Sequence, residues 1–323
     1  MKRIGVFTSG GDSPGMNACI RAVVRAAIAL GVEVVGIERG YEGMIDGQFR
    51  PLESKDVSGI LQRGGTILRS ARSARFMTPE GRKAAFENIK KAGVEGIVVI
   101  GGDGSFKGAE VFHGEYGVPM IGTPGTIDND LYGTDYTIGY DTAVNTVMQA
   151  VDKLKDTAAA HDRLFVVEVM GRDAGFIALR SGIATGAEAI LVPEVQGDLS
   201  SLKEKLDNNW NRHRDSAIII VAEGDESGGA FSVQKMINAE YPDLETKVTI
   251  LGHVQRGGSP TAFDRLLASS LGVAAVDALL AGKSNLMMGM HGNEVVEVPF
   301  EKAIKHNKVL KPQLLRLAEI LSV

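Results

Sequence analysis

Three apolar runs in this chain each end in a glycine turn. Residues 4–8 (Ile-Gly-Val-Phe-Thr) run into Ser9-Gly10-Gly11-Asp12-Ser13, and residues 96–100 (Gly-Ile-Val-Val-Ile) into Gly101-Gly102-Asp103-Gly104-Ser105. Residues 118–122 (Val-Pro-Met-Ile-Gly) lead to Pro124-Gly125-Thr126-Ile127-Asp128-Asn129-Asp130. Runs this apolar, bounded by turn residues, read as strands buried on both faces, and such strands belong to parallel sheets covered by helices. Helical patterns at Met16–Ala29, 83–92, 106–112 and 142–158 alternate with further strands at Glu33–Ile37, Leu164–Val169, 189–192 and Ala217–Ala222. A helix over 199–210 separates the last two, and Gly40-Tyr41-Glu42-Gly43 reads as a turn. The fold class is α/β. No repeat and no low-complexity linker divides the chain, so ordinary loops near Gly139 and His253 are the expected domain crossings.

A length of 323 residues exceeds one simple core and suits two lobes, and 44% apolar residues are enough to fill both. A formal charge of −5 supplies no basic field, which argues against nucleic acid as a partner. Cys19 is the only cysteine, so no intrachain disulfide forms; it reads as a small buried side chain on a helix, in a reducing compartment. No signal peptide and no apolar run long enough for a bilayer are visible, so the expectation is a cytoplasmic, membrane-free protein.

In open α/β sheets ligands bind beyond the carboxyl ends of the strands, where all three turns lie. Gly10-Gly11-Asp12 lacks the spacing of a dinucleotide fingerprint and of a Walker loop, and Gly282-Lys283-Ser284 reads as a helix C-cap. Bare amides at Gly10-Gly11 and Gly104, beside helix N-termini, can still cradle phosphate. Asp103 reads either as an N-cap or as a Mg²⁺ ligand, since Mg²⁺ takes one or two carboxylates plus substrate phosphates. Asp128 and Asp130, two positions apart, repel each other, which suits a carboxylate base. Arg72 lies in a basic segment (69–75), while Arg163, Arg172 and Arg256 flank strands or glycine turns, where a guanidinium fork can grip phosphate. His253 has no second His or Cys at ligand spacing and reads as a hydrogen-bonding group. The residues together point to a phosphate-handling enzyme with a metal and a carboxylate base.

Gly-Gly-Asp-Gly-Ser, Pro-Gly-Thr-Ile-Asp-Asn-Asp, Met170-Gly171-Arg172 after a strand, and the run 252–260 (Gly-His-Val-Gln-Arg-Gly-Gly-Ser-Pro) follow one another over nearly the whole chain. In this order they resemble the ATP-dependent 6-phosphofructokinases of the bacterial type. The resemblance implies two similar three-layer α/β/α lobes, mainly parallel, with the active site in the cleft between them. It implies an ATP lobe of residues 1–139 plus 255–305 and a fructose 6-phosphate lobe of residues 140–254 plus 306–323. Gly11, Arg72, Ser73, Gly102, Asp103, Gly104 and Ser105 would hold ATP, with Asp103 near Mg²⁺. Asp128 would be the base for the sugar 1-hydroxyl, supported by Thr126 and Asp130, and Arg172 would stabilise the phosphoryl in flight. Thr126, Ile127, Asp128, Met170, Gly171, Arg172, Glu223, His253, Val254, Gln255 and Arg256 would hold the sugar. Arg163 and Lys247 would reach it from a neighbouring subunit of a homotetramer.

The family divides by donor. Pyrophosphate users typically carry Asp and Lys where this chain has Gly104 and Gly125, so the resemblance implies ATP. The alternatives are a pyrophosphate-dependent member and a non-catalytic nucleotide sensor on the same scaffold. Lys247 stands where the family usually has Arg, which keeps the charge and loses the fork. An effector pocket for ADP or phosphoenolpyruvate is matched at Arg21, Arg25, Glu188, Arg212 and Arg214. Lys155 and Ser54 replace arginines there.

Overall fold

Alternate residues of the apolar runs go to opposite faces of one sheet. Ile4, Val6, Val98 and Ile100 enter one core cluster, while Phe7, Ile97 and Val99 enter another. Both faces are dry, and this is why the runs carry no polar alternation. The structure, a computed structural model, describes residues 1–159, 163–195, 202, 203, 206 and 217–321.

Its strands are β1 (Arg3–Thr8), β2 (Glu33–Ile37), β3 (Phe49–Leu52), β4 (Gly96–Gly101), β5 (Met120–Pro124), β6 (Leu164–Val169), β7 (Ala189–Leu191), β8 (Ala217–Ala222), β9 (Thr246–Ile250), β10 (Leu286–His291) and β11 (Glu294–Pro299). The chain divides into two units. Unit 1 comprises Met1–Ile127, Leu131–Thr142 and Arg256–Lys308; unit 2 comprises Asp128–Asp130, Ala143–Gln255 and Val309–Val323.

Unit 1 holds a seven-stranded sheet in the order β11-β10-β5-β4-β1-β2-β3. Its interior pairs are parallel, whereas β3 and β11 join their neighbours antiparallel. Helices Met16–Ala29 and Ala262–Leu280 pack together on one face, Cys19 and Ala22 close against Gly272. Phe106, Phe112 and Phe300 fill the other. Unit 2 holds a four-stranded, wholly parallel sheet, β7-β8-β6-β9. Its core is aliphatic, with Val166, Ile219 and Val221 fully buried.

Several elements depart from the sequence expectation. Gly40–Asp46 is a helix, not a turn. Two glycines hide it: Gly40 has φ +59°, and a Cβ at Gly43 would strike the Glu38 carbonyl. Helix Pro79–Lys91 begins earlier than residue 83 because Thr78 caps it, accepting from Gly81 N at 3.1 Å, and Pro79 suits its first turn. Helix Asp103–Tyr116 is longer at both ends than 106–112. The third apolar run pairs as Met120–Pro124, since Pro119 gives no N–H to the ladder. The expected helix 199–210 falls mostly outside the described residues. Among the described residues no helix is long and apolar enough to cross a membrane.

Candidate functional site

In unit 1 the turns after β1, β4 and β5 are tied side by side. Ser9 N donates to Ile100 O at 3.0 Å, and Gly125 N to Gly101 O at 2.9 Å. Ser105 N and Phe106 N both close on Gly102 O, so helix Asp103–Tyr116 opens on Gly102, which offers no side-chain cap. Asp103 is therefore the first helical residue and not the N-cap. The opening amides of a helix lack intrahelical acceptors and carry the positive end of its dipole. Nothing lies within 4 Å of where a Cβ on Gly104 would stand. This bare end of the helix can take an anion.

Gly125 differs from the expectation of open space. A Cβ there would lie 3.0 Å from Ile100 and 3.1 Å from Met16, so a side chain would press on the core. Gly11 accommodates a guanidinium: a Cβ would come 2.5 Å from Arg256 Nη1, which donates to Asp12 O at 3.3 Å. Arg256, expected on the sugar, thus rests in unit 1 against the first glycine turn. Arg72 is exposed; the Ser73 hydroxyl donates to Glu42. Thr126 and Ile127 are buried, and Thr137 Oγ1 donates to Thr126 O at 2.6 Å.

Among the described residues no group of three His, Cys, Asp or Glu side chains forms a metal site. A nucleotide-borne Mg²⁺ does not need one, because phosphates and water supply most of its ligands. Asp103 fits that demand. Its carboxylate stands at the bare helix end, tied on one side to Lys107 Nζ at 2.7 Å.

In unit 2 the Asp128 carboxylate is 1% exposed, and its Oδ2 lies 3.3 Å from Arg172 Nε. Arg172 adopts φ +53°, a region costly for a side chain of its size, and follows Gly171 at φ +150°. The turn is held by carboxylate and amide groups. Arg172 N donates to Glu223 Oε1 at 2.8 Å, and Met170 N to Gln255 Oε1 at 3.2 Å. Gln255 is fully buried and also donates to Gly252 O at 3.0 Å, whereas His253 and Val254 are exposed. Asp130 is half-buried.

Arg163 and Lys247 are brought together in unit 2. Lys247 pairs in register with Phe165, and both cations converge on Glu245, at 2.8 and 2.9 Å. Arg163 first, then Lys247, pulls the Glu245 carboxyl down to about 2. Sequence reasoning missed Glu245. The signal was an acid two positions before Lys247, on the same side of an extended chain.

The effector residues fall in both units. Arg21 and Arg25 lie one turn apart on helix Met16–Ala29 in unit 1, and Ser54 lines a 750 Å³ cavity there with Arg3 and Glu33. Lys155 donates to Thr185 O in unit 2, and Glu188 accepts from Ile218 N at 2.6 Å. Arg212 and Arg214 lie outside the described residues.

Residues 3–279 match the family model described as phosphofructokinase. The chain is 57% identical over its full length to ATP-dependent 6-phosphofructokinase 1 of Thermus thermophilus, covering 100% of that protein. It is 54% identical to ATP-dependent 6-phosphofructokinase 2 of Bacteroides thetaiotaomicron, covering all of this chain and 99% of the other. Among solved structures, phosphofructokinase from Saccharomyces cerevisiae superposes with a TM-score of 0.89 at 40% identity over 94% of this chain. The chain spans 45% of the yeast chain's length.

Proposed function

The chain belongs to the phosphofructokinase family, and from that premise we propose that it transfers a phosphoryl group from ATP to the 1-hydroxyl of fructose 6-phosphate. The products are fructose 1,6-bisphosphate and ADP. The observation that carries this reading is the pairing of buried Asp128 with Arg172 at 3.3 Å, on a turn held by Glu223.

Asp128 takes the proton of the attacking hydroxyl, with Thr126 and Asp130 shaping its turn. Arg172, adjacent to that base, meets the negative charge on the transferring oxygens. Phosphoryl transfer rests mostly on positioning and charge neutralisation, which these groups supply. The amides at Gly11 and Gly102–Ser105, with Arg72 and Ser73, hold the nucleotide. Asp103 would hold Mg²⁺, which neutralises phosphate charge when bound with ATP. The sugar is read by Met170, Gly171, Glu223, His253, Val254, Gln255 and Arg256. Arg163 and Lys247 grip the 6-phosphate of a sugar bound by a neighbouring chain, in a homotetramer working in the cytoplasm. Arg21, Arg25, Lys155, Glu188, Arg212 and Arg214 serve an effector of the ADP or phosphoenolpyruvate kind.

A coupled assay with ATP and pyrophosphate side by side tests the reading. Fructose 1,6-bisphosphate should form with ATP and not with pyrophosphate. Formation with pyrophosphate alone would overturn the donor; nucleotide binding without turnover would overturn the enzyme.

A further inference from the structure

Helix Gly40–Asp46 touches two parts of the donor side of unit 1 with adjacent side chains. Tyr41 is buried, and its hydroxyl donates to Ser105 O at 2.5 Å, inside the first turn of the phosphate-cradling helix. Its ring stacks on Phe76 with centroids 4.0 Å apart. The next residue, Glu42, faces the basic segment instead. Its carboxylate accepts from Ser73 Oγ and, at 2.6 Å, from Arg75 Nη1. Asp46 takes the same Arg75 nitrogen at 2.8 Å.

The segment 70–77 is tied at both ends as well. Ser70 Oγ donates to Gly10 O, in the first glycine turn. Arg82 donates to Phe76 O at 3.1 Å and to Met77 O at 2.9 Å, and is itself held by Glu115 at 2.7 Å. Between these ties stands Arg72, exposed and two residues from the contact with Gly10.

We propose that Glu42 is a positioning residue for the nucleotide: it clamps the segment 70–77 through Ser73 and Arg75, so that Arg72 stands ready beside the Gly10-Gly11 turn. The inference rests on the reading that unit 1 takes ATP. Its physics has two parts. A loop fixed before binding does not lose its freedom on binding, so the ligand keeps more of its interaction energy. The acids Glu42 and Asp46 also neutralise Arg75, which leaves Arg72 as the cation open to phosphate. The Ser73 hydroxyl first, and Arg75 after it, holds the Glu42 carboxyl below its ordinary range. A depressed acid keeps its stabilising pairs above that range and loses them only as pH falls through its folded value. The clamp is therefore closed at neutral pH.

Two measurements test this on the full chain. The first needs no activity: limited trypsin digestion without nucleotide, scored as cleavage after Arg72 relative to cleavage elsewhere. Glu42→Gln should raise that ratio about tenfold, as expected when a charged hydrogen-bond cluster is lost. Arg75→Gln, at an exposed position, should act in the same direction and guards against a folding defect in the first variant. The second is a KM-against-kcat split. Glu42→Gln should raise the KM for ATP about tenfold and leave kcat and the KM for fructose 6-phosphate within about twofold. Unchanged cleavage in both variants overturns the clamp. Released cleavage with an unchanged KM for ATP overturns its service to the nucleotide. A wild-type chain that does not turn over ATP sinks the functional reading instead, and the digestion still reads the clamp.

Discussion

The two units hold the groups proposed to face ligands in opposite ways. In unit 1 the groups at the strand ends are mostly backbone: amides beside Gly11, Gly102 and Gly104, with open space at Gly104 where a side chain would start. In unit 2 they are charged side chains: Asp128 against Arg172, and Arg163 with Lys247 on Glu245. A polyphosphate spreads its charge over many oxygens, and many weak amide contacts suit it. A single reacting hydroxyl needs one base at one place. Unit 1 should therefore lose less than unit 2 from removal of any one contact, and should suffer from an added side chain. Unit 2 should suffer most from deletion of a single charge.

The largest effect is expected at Asp128. Asp128→Asn keeps the shape and removes the base, so kcat should fall roughly 10²–10⁴-fold while the KM for fructose 6-phosphate changes little. Steady-state kinetics decide it, and near wild-type turnover would leave unit 2 without its assigned base. The next effect is Lys247→Ala. A charged hydrogen bond is worth about 1.5–3 kcal/mol, so the KM for fructose 6-phosphate should rise roughly tenfold to a hundredfold, with that for ATP unchanged. Lys247→Arg sharpens the point, because a restored fork should lower KM if point-charge geometry limits binding.

For unit 1 the matching test adds a group. Gly104→Asp places a carboxylate in open space at the bare helix end. The KM for ATP should rise about tenfold, equivalent to about 1.4 kcal/mol. An unchanged KM would mean that the donor phosphates do not use that space. Gly125→Lys is a poorer probe than its sequence context suggests, since its side chain would meet Ile100 and Met16 before any ligand.

The same contrast explains what could be read from the residues. Strands Glu33–Ile37, Leu164–Val169 and Ala217–Ala222 are recoverable to the residue because apolar residues dominate each one, and Ala217–Ala222 is wholly apolar. The edge strands Phe49–Leu52 and Glu294–Pro299 are not: Arg50, Glu294 and Glu297 break the apolar pattern, and each strand is paired on one side only, with the strand just before it in the chain. Glycine turns and the Met170-Gly171-Arg172 motif announce chemistry through composition. Two acids that hold cationic segments do not. Glu42 sits in a helix disguised by Gly40 and Gly43, and Glu245 reads as a surface charge until Arg163 is folded beside it, 82 positions away.

Glu245 gives the smallest predicted effect and the finest test of the comparison. If Arg163 and Lys247 serve the sugar phosphate, Glu245 competes with that phosphate for both cations. Glu245→Gln should then lower the KM for fructose 6-phosphate about a few-fold, the small scale of exposed ion pairs. The pH dependence is fixed by sign. The Glu245 carboxyl lies at about 2, below its ordinary value, so its pairing is complete above the usual carboxylate range and is lost only as pH falls toward that value. The KM ratio of variant to wild type should therefore stay flat from about pH 6 to pH 8. Salt should shrink it, since both cations are partly exposed and screening weakens such pairs. A variant that binds the sugar phosphate more weakly would show the reverse arrangement, in which Glu245 holds the two cations in place for the phosphate and unit 2, like the Glu42 segment of unit 1, relies on an acid to present its cation.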